Sequence, residues 1–339
     1  MSASKDREHR AELDRLIRGF QISRMLRVAA DLTLADRIPR GEACAVAELA
    51  AQCAVRAEPL LRVLRALASF GIFRVSADGE IAHSALSLLL RTDTPQSLHY
   101  GAKFWAASGS WRAWGEFDAA LTGGVPHEAA WHMGRFEYLR RHPDEARDFD
   151  AFMAHFPDER HRALAEAYDF SGATLIADIG GGNGEALRCI LERFPQARGL
   201  LFDREDVVAA IPEDARAAGR VATAGGSFLD RVPPGADVYV LMRVLHNWSD
   251  ADCGRILRNC RSAMRDDARL LICEHLLEPD PGMGDPVLYL VDTQMMAMFG
   301  AARERTEAAF GALLAQSGFA LRRVITTKSR VSIVEAAPA

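Results

Sequence analysis

A glycine-rich loop is the strongest chemical signal in this sequence. The segment 178–184, DIGGGNG, follows an apolar, β-branched strand and precedes the helical segment GEALRCILERF. In an open α/β sheet, ligands bind in the crevice outside the carboxyl ends of the strands. Glycines without a Cβ let the backbone approach a ligand closely at such a turn. The loop therefore predicts a small-molecule site at one edge of a parallel sheet.

The spacing of this loop excludes a dinucleotide site and a P-loop. A G-x-G-x-x-G fingerprint counted from Gly180 or Gly182 needs a third glycine at position 185 or 187, where Glu185 and Leu187 stand. Glu185 at the start of the helix would also repel a pyrophosphate. The Gly-Lys-Ser/Thr sequence of a P-loop does not follow. A ligand without phosphate is therefore favoured.

The pattern D-x-G-x-G-x-G is the one that S-adenosylmethionine-dependent enzymes use. This cofactor carries an ammonium, a carboxylate and a sulfonium group but no phosphate. Asp178 can complement the ammonium, while Gly180, Gly181 and Gly182 leave room for the methionine portion. Asp203 ends the next strand, GLLFD, 25 positions after Asp178, where a carboxylate would accept both ribose hydroxyls. S-adenosylmethionine is therefore the predicted cofactor.

Two further strands end in polar residues that an apolar strand does not require. ADVYVLMRVL leads into His246, and RLLIC leads into Glu274. These strands lie side by side in a doubly wound sheet, so both side chains should face the crevice of the glycine loop. A carboxylate on one imidazole nitrogen leaves the other nitrogen as a base. We therefore expect His246 to remove a hydroxyl proton, with Glu274 on its ring; a capping role for His246 is the alternative.

The elements around these residues predict two domains. Helical periodicity runs through residues 11–70, and a hairpin turn at Asp78-Gly79 follows, so residues 1–95 are expected to form a winged-helix-like domain. Residues 96–339 form the second domain, in which residues 96–165 are a helical, aromatic linker that lines the substrate.

The second domain is expected to be α/β. Strands and helices alternate from residue 172 onward, which predicts a doubly wound, Rossmann-like parallel sheet with helices on both faces. Only Lys328-Ser329 separates the last two strands, which is too short for a crossover. The last strand is therefore predicted to be antiparallel.

Composition and charge exclude several classes of protein. The 339-residue chain is 49% hydrophobic and 26% charged, as in soluble globular proteins, and its net charge of −5 argues against nucleic-acid binding as its main role. The charged start predicts no secretory signal, and no apolar run is long enough to span a membrane. Six scattered cysteines predict a reducing, cytoplasmic location, and no metal-ligand spacing is present.

Several segments occur in an order typical of one enzyme family. They are ADIGGGNG, FDR, GGSFLDRVPPGADVYVLMRVLHNWSD, LLICEHLLEPD and VDTQMMAMFGAARERTEAAFGALLAQSGF. The chain thereby resembles the S-adenosylmethionine-dependent O-methyltransferases of the caffeate/hydroxyneurosporene type, including bacterial enzymes that methylate polyketide, phenazine and carotenoid hydroxyls. The resemblance implies methyl transfer to a hydroxyl of a flat small molecule, and dimerisation through the N-terminal domain.

The resemblance also implies roles for individual residues. His246 would be the general base, Glu274 the acid that orients it, and Glu304 a second, assisting acid. Beyond the glycine loop, cofactor contacts would fall on Asp203, Ser227, Phe228, Met242 and Arg243. Substrate contacts would fall on Met153, Phe156, Asp292, Met295 and Met296.

Two other functions remain open at this point. The arginines of residues 55–75 allow a DNA-binding regulator that senses a metabolite, although they equally fit a solvated helix surface. A family member could also hold the cofactor and catalyse a different reaction. In either case the apolar helices of residues 16–38 exceed what a small domain can bury, which predicts a homodimer.

Overall fold

The computed structural model describes residues 3–95, 97–154, 159–211 and 219–339. The chain divides into two compact units. The first comprises Met1–Glu116 and His127–Pro157, and the second comprises Phe117–Pro126 and Asp158–Ala339. The domain boundary predicted after residue 95 stays a prediction.

The N-terminal part of the first unit combines helices with a small antiparallel sheet. Its helices are α1 (Ala3–Ile17), α2 (Gly19–Asp31), α3 (Leu34–Arg37), α4 (Val46–Gln52), α5 (Ala57–Ala68) and α6 (Ala85–Leu88). Its strands, in the order β1-β3-β2, are β1 (Ala43–Ala45), β2 (Arg74–Val75) and β3 (Glu80–Ala82). The predicted hairpin joins β2 to β3 through Gly79, whose φ is +87°. Strand β1 was not predicted, because three residues are too few to show an alternating pattern.

The core of this part is mainly aliphatic, but its first helices leave apolar side chains uncovered. The buried side chains include Leu34, Ile38, Leu49, Leu64, Leu67, Phe73 and Ile81. On α1 and the start of α2, by contrast, Leu13, Leu16, Ile17 and Phe20 are between 59% and 66% exposed. An exposed apolar stripe of this kind marks an interaction surface more often than a solvated one.

The rest of the first unit is a set of short helices rich in aromatic residues. They are α7 (His99–Trp105), α8 (Ser108–Gly115), α10 (Pro126–Trp131), which begins at the join between the units, α11 (Arg135–Arg141) and α12 (Pro143–Ala154). Phe104 and Phe152 stack with their ring centroids 4.6 Å apart. The buried Glu145 accepts hydrogen bonds from Arg135 at 2.9 Å and from Tyr138 at 3.0 Å, so these helices pack on one another.

The second unit is built on a seven-stranded sheet. Its strands are β4 (Leu175–Ile179), β5 (Arg198–Asp203), β6 (Val221–Gly225), β7 (Val238–Met242), β8 (Arg269–Glu274), β9 (Phe319–Thr326) and β10 (Ser332–Pro338). The strand order is β6-β5-β4-β7-β8-β10-β9. Strands β4 to β8 run parallel, and β10 runs antiparallel to both β8 and β9. The doubly wound order and the antiparallel last strand confirm the predicted fold class.

Apolar layers that include helical side chains cover both faces of this sheet. The α-helices of this unit are α9 (Asp118–Leu121), α13 (Arg160–Ala167), α14 (Glu185–Arg193), α15 (Glu205–Ala209), α16 (Asp250–Ala263), α17 (Pro286–Phe299) and α18 (Glu307–Gln316). Alternate residues of β7 enter two apolar layers, one containing side chains of α16 and α18 and the other containing those of α13 and α14. Burial on both faces explains why these strands are continuously apolar in sequence.

The strand order brings three chain segments to one edge of the sheet. Strand β7 lies between β4 and β8, and Met242 pairs with Cys273 in register. The residues that follow β4, β7 and β8 therefore leave the sheet at the same edge, as predicted. Among the residues that the structure describes, no helix has both the length and the apolar character needed to cross a bilayer.

Candidate active site

Three glycines of the loop after β4 have backbone conformations that favour glycine. Gly180, Gly182 and Gly184 have φ values of +74°, +55° and +82°, in the left-handed region that disfavours side chains. A Cβ on Gly180 would lie 2.9 Å from Val244 Cγ2, and one on Gly184 would lie 2.9 Å from Leu201 Cδ1. Since both neighbours are packed against the loop, side chains at positions 180 and 184 would clash, and the backbone stays bare there.

Asp178 lies directly beneath this loop. Its side chain is buried, a Cβ on Gly181 would lie 2.6 Å from its Oδ2, and neither carboxyl oxygen accepts a hydrogen bond from the described residues. Burial, and then the charge of Asp203, raise the pKa of Asp178 to about 7. A buried carboxyl without a protein donor favours a cation nearby, so it fits a ligand with an ammonium group.

Asp203 turns its carboxylate towards the same loop from the end of β5. Its Oδ2 accepts the Gly182 amide at 2.9 Å, and its Oδ1 accepts the Arg204 amide at 2.7 Å. A carboxylate has about four acceptor positions, so lone pairs remain on both oxygens. This arrangement fits a pair of neighbouring hydroxyls such as those of a ribose.

An aromatic ring lies beside the glycine loop. A Cβ on Gly180 would lie 3.3 Å from Phe228 Cε1, and the Phe228 ring meets Trp248 edge-on with centroids 5.6 Å apart. The Ser227 hydroxyl accepts the Leu229 amide at 3.2 Å, which shapes the turn. A planar ring of a ligand could pack on Phe228 here. The predicted contact Met242, by contrast, is 9% exposed and packs in the sheet core.

His246 lies in a short 3-10 turn, Leu245–Asn247, just after β7. Its ring nitrogen Nδ1 is 3.2 Å from Glu304 Oε1. Its backbone amide donates to Glu274 Oε1 at 3.3 Å. Within the described ranges, no hydrogen bond involves Nε2. The structure thus brings together the histidine and both glutamates that the sequence predicts.

The glutamate that contacts the imidazole ring is not the one expected. The expectation was that Glu274 contacts the imidazole, but the structure places Glu304 on the ring and Glu274 on the backbone of the turn and on Arg243. Glu274 is the last residue of β8 and is fully buried, so its side chain reaches the turn from below. Glu304 enters from the segment between α17 and α18, whose path the sequence spacing could not define.

The ionisation of Glu304 depends on its neighbours. Burial alone would raise the pKa of its carboxyl. The charge of Arg243 and hydrogen bonds from Arg243 and His246 outweigh burial and hold that pKa well below its ordinary value. Glu304 is therefore a carboxylate that can stabilise positive charge on the His246 ring.

Arg243 is the centre of this cluster. Its Nη1 donates to Glu274 Oε2 at 2.7 Å and to Glu304 Oε2 at 2.9 Å. Its Nη2 donates to Glu304 Oε1 at 2.6 Å and lies 2.9 Å from His246 Nδ1. His246, Glu274 and Glu304 each have a possible metal-ligand atom within 4.8 Å of the other two. The Arg243 guanidinium, however, contacts all three of these residues.

Arg305 was missed in the sequence, although it adjoins Glu304 in the E-R-T motif. It is 2% exposed, and it donates to the carbonyl of Leu245 at 3.0 Å and to that of Trp248 at 2.9 Å. It also pairs with Asp250 at the start of α16 at 2.8 Å. The guanidinium therefore binds backbone carbonyls on both sides of His246. A buried arginine cannot be told from a surface arginine by sequence pattern alone.

His275 is a second residue that sequence reasoning left without a role. It is 3% exposed, and burial lowers the pKa of its imidazole. Its Nδ1 is 3.8 Å from Glu304 Oε1, which is beyond hydrogen-bond distance.

The predicted substrate residues lie in different places. Asp292 on α17 accepts the Glu304 amide at 2.8 Å, and burial raises the pKa of its carboxyl. Met295 and Met296 follow on the same helix and are partly buried. Met153 lies on α12 in the first unit and is 43% exposed, and Phe156 lies outside the described residues.

Comparison with known families decides what this site belongs to. A model described as an O-methyltransferase domain matches residues 114–320, and a model described as an O-methyltransferase dimerisation domain matches residues 14–92. The chain belongs to the O-methyltransferase family. The phenazine O-methyltransferase PhzM of Lysobacter antibioticus is 38% identical to it, over 95% of this chain and 94% of the relative.

Solved structures of other O-methyltransferases share the fold of this one. The mitomycin 7-O-methyltransferase MmcR is 31% identical and aligns over 100% of both chains with a TM-score of 0.90. The O-methyltransferase NcsB1 from neocarzinostatin biosynthesis, solved with S-adenosylmethionine and 2-hydroxy-5-methyl naphthoic acid, is 30% identical, with a TM-score of 0.79 over 94% of this chain and 96% of that chain. The predictions of the family, of a methyltransferase and of S-adenosylmethionine as its cofactor are thereby confirmed.

Proposed function

We propose that this O-methyltransferase moves a methyl group from S-adenosylmethionine to a hydroxyl of a flat aromatic or polyketide-like molecule, with His246 as the general base. The observation that carries the proposal is the contact of 3.2 Å between His246 Nδ1 and the buried carboxylate of Glu304. When bound, S-adenosylmethionine supplies an electrophilic methyl group. The chain's own residues must then hold the cofactor, orient the acceptor and remove its proton.

The residues proposed to hold the cofactor surround the glycine loop. Asp203 would accept the two ribose hydroxyls, and Asp178 would favour the ammonium by its charge. Gly180 and Gly181 leave space for the methionine portion, and Phe228 offers a surface for the adenine. We assign Ser227, Gly182 and the Met242–Arg243 backbone to the rim of this site.

The base is proposed to act through the ring nitrogen that Glu304 leaves open. A neutral imidazole can take a hydroxyl proton near neutral pH. In this tautomer Nδ1 donates to Glu304, which would stabilise the imidazolium that forms, while no described residue forms a hydrogen bond with Nε2. Glu274 would act indirectly, since it fixes the backbone amide of His246 at 3.3 Å. Deprotonation would make the acceptor oxygen a stronger nucleophile.

The acceptor is proposed to be a flat, hydroxylated small molecule. Relatives in this family are named for phenazine and mitomycin substrates, and NcsB1 was solved with a naphthoic acid. Asp292, Met295 and Met296 on α17 are proposed to contact it, because Asp292 holds the amide of Glu304. Met153 and Phe156 are proposed as further contacts from the segment between residues 96 and 165.

We also propose a homodimer formed through the N-terminal domain, in the cytoplasm. The dimerisation-domain match at residues 14–92 and the exposed apolar stripe of α1 and α2 support the dimer. Light scattering after size-exclusion chromatography should give twice the chain mass. A monomeric mass would contradict this part of the proposal.

Calorimetric titration with S-adenosylmethionine and S-adenosylhomocysteine tests the cofactor site, with Asp203→Ala as the matched variant. Binding that the variant loses supports the assignment of Asp203. Transfer of a labelled methyl group to hydroxylated phenazines and naphthoic acids then tests the acceptor class. Binding without transfer to any hydroxyl would instead favour the alternative of a family member with other chemistry.

A further inference from the structure

Arg243 has a backbone conformation that arginine rarely adopts. Its φ is +54°, in the left-handed region, although it is not a glycine. It directly follows β7, and its side chain is 9% exposed. Strain of this kind persists where the surrounding structure holds the residue in place, and such residues cluster at functional sites. The left-handed turn sends the guanidinium inward, beneath the turn of His246.

The two terminal nitrogens of Arg243 contact three carboxylate oxygens and one ring nitrogen. Nη1 faces one oxygen of Glu274 and one of Glu304, and Nη2 faces the other oxygen of Glu304 and Nδ1 of His246. A guanidinium can only donate hydrogen bonds. When Nδ1 donates to Glu304 and leaves Nε2 as the base, Nη2 forms no hydrogen bond with Nδ1 and instead brings positive charge to within 2.9 Å of the ring. An imidazolium, which carries a proton on both nitrogens, would meet the guanidinium with like charge.

The geometry points to Arg243 as a positioning residue that keeps His246 neutral. Its positive charge partly cancels the two buried carboxylates, which would otherwise draw a proton onto the nearby His246 ring. This inference rests on the proposed role of His246 as the base, and it names the residue that sustains that role. It gives Arg243 a task distinct from contact with the cofactor or the acceptor.

The charge balance of the cluster supports this inference. With Arg243 cationic and Glu274 and Glu304 anionic, the cluster carries a net charge of −1 around a neutral ring. Without the arginine the same groups would carry −2, and both carboxylates are fully buried. A buried like-charge pair takes up a proton readily, and the His246 ring is the nearest base.

Other charged or titratable groups around the ring do not replace Arg243. Asp292 from α17 adds further negative charge, and His275 lies 3.8 Å from Glu304 Oε1. Arg305 is committed to Asp250 and to backbone carbonyls. Arg160 at the start of α13 acts on His275 through its charge. Of these cations, Arg243 is the one that contacts both glutamates.

A four-protein cycle tests the inference without any acceptor. Wild type, Arg243→Met, Glu304→Gln and the double variant are each labelled with ¹⁵N in the histidine rings, and the ring signals of His246 are followed from low to high pH. His246→Asn identifies those signals by their disappearance. The ¹⁵N shifts distinguish a neutral ring from an imidazolium, so the midpoint of ring protonation is read directly.

Loss of Arg243 should move that midpoint to higher pH by about one unit or more, both in the wild-type background and beside Glu304→Gln. The double variant restores a net charge of −1 and should return close to wild type. Arg243→Lys keeps the charge and should move the midpoint by less than about half a unit. If Arg243→Met does not fold, the step from Glu304→Gln to the double variant measures the same loss.

Two results would overturn the inference. One is an unchanged midpoint when Arg243 is removed in either background. The other is a double variant displaced further than Arg243→Met, because a merely structural role would make the damage add up. If instead His246→Asn transfers methyl groups as fast as wild type, the base proposal fails, while the ring titration still decides the role of Arg243.

Discussion

The cofactor half and the base half of this site are built in different ways. In the cofactor half, the glycine loop and Asp203 come from the ends of two paired strands, and backbone amides fix their geometry. In the base half, His246 depends on Glu274 and Glu304, which lie 28 and 58 positions later in the sequence. The first half is a backbone structure, whereas the second is a network of buried charges.

The two halves should therefore be sensitive to different substitutions. A backbone cradle tolerates the loss of a distant side chain, because its hydrogen bonds are local. A buried charge network does not, since removal of one member leaves another without compensation. Substitutions in the base half should therefore alter catalysis and protonation while cofactor binding remains.

The largest expected effect is that of His246→Asn on turnover. A positioned general base contributes about 10²- to 10⁴-fold, so methyl transfer should fall by about a thousandfold. Affinity for S-adenosylhomocysteine should stay within about twofold of wild type. The measurement is single-turnover transfer of a labelled methyl group at saturating cofactor. A loss of less than about tenfold would mean that the acceptor ionises without this base.

The next effect sharpens the distinction between the two glutamates. Glu304→Gln should lower turnover by about tenfold or more, because the carboxylate on the imidazole ring is lost. Glu274→Gln should lower it less, since an amide oxygen can still accept the His246 backbone amide. Steady-state assays at one pH compare the two variants. The opposite order would return the orienting role to Glu274.

A smaller effect is expected on stability from Arg305, which donates hydrogen bonds to the backbone of the His246 turn. Arg305→Met removes buried hydrogen bonds to Leu245, Trp248 and Asp250, and should lower the free energy of unfolding by about 2 kcal/mol. Arg303→Met is the matched control, because the Arg303 side chain is 53% exposed and pairs with the same aspartate.

The control should change the free energy of unfolding by less than about 0.5 kcal/mol. Urea unfolding followed by circular dichroism measures both variants. Equal changes in the free energy of unfolding for the two variants would show that the buried contacts of Arg305 stabilise the fold no more than the exposed pair of Arg303.

The smallest expected effect concerns pH and belongs to the cofactor half. The pKa of Asp178 is raised to about 7, so acidification below that value protonates the carboxyl that favours a ligand ammonium. Affinity for S-adenosylmethionine should therefore rise by about three- to tenfold between about pH 6 and about pH 8. Asp178→Asn should flatten this dependence in calorimetric titrations. A variant as pH-dependent as wild type would assign the effect to another group.

Stability in the absence of cofactor should show the opposite sign. The folded pKa of Asp178 lies above its unfolded value, so the folded state binds the proton more tightly. The contribution of this group to stability is therefore present below about pH 4 and is lost as the pH rises through about 7. Thermal unfolding of wild type and Asp178→Asn across this range checks the sign.

The sequence predicts the cofactor half well because its information is local. The D-x-G-x-G-x-G pattern, the acid at the end of the next strand and the short link before β10 each lie within a few residues of the feature that they specify. The helices and the hairpin of the N-terminal part follow from periodicity and from the Asp78-Gly79 turn.

The sequence predicted which residues form the base half, but not which of them contact one another. His246, Glu274 and Glu304 do meet, yet which carboxylate contacts the ring depends on how the segment after α17 folds back. Arg243 was expected at the cofactor, and its inward position follows from a left-handed backbone that no residue type signals. Arg305 is buried by tertiary contacts that local pattern does not encode.

The two halves of the site should act separately, one holding the cofactor and the other moving the proton. Calorimetric titration of S-adenosylhomocysteine into His246→Asn and Asp203→Ala, side by side with wild type, tests it most directly. Affinity should stay at the wild-type level in His246→Asn and fall by about thirtyfold or more in Asp203→Ala. Equal losses in both variants, or full affinity in Asp203→Ala, would contradict it.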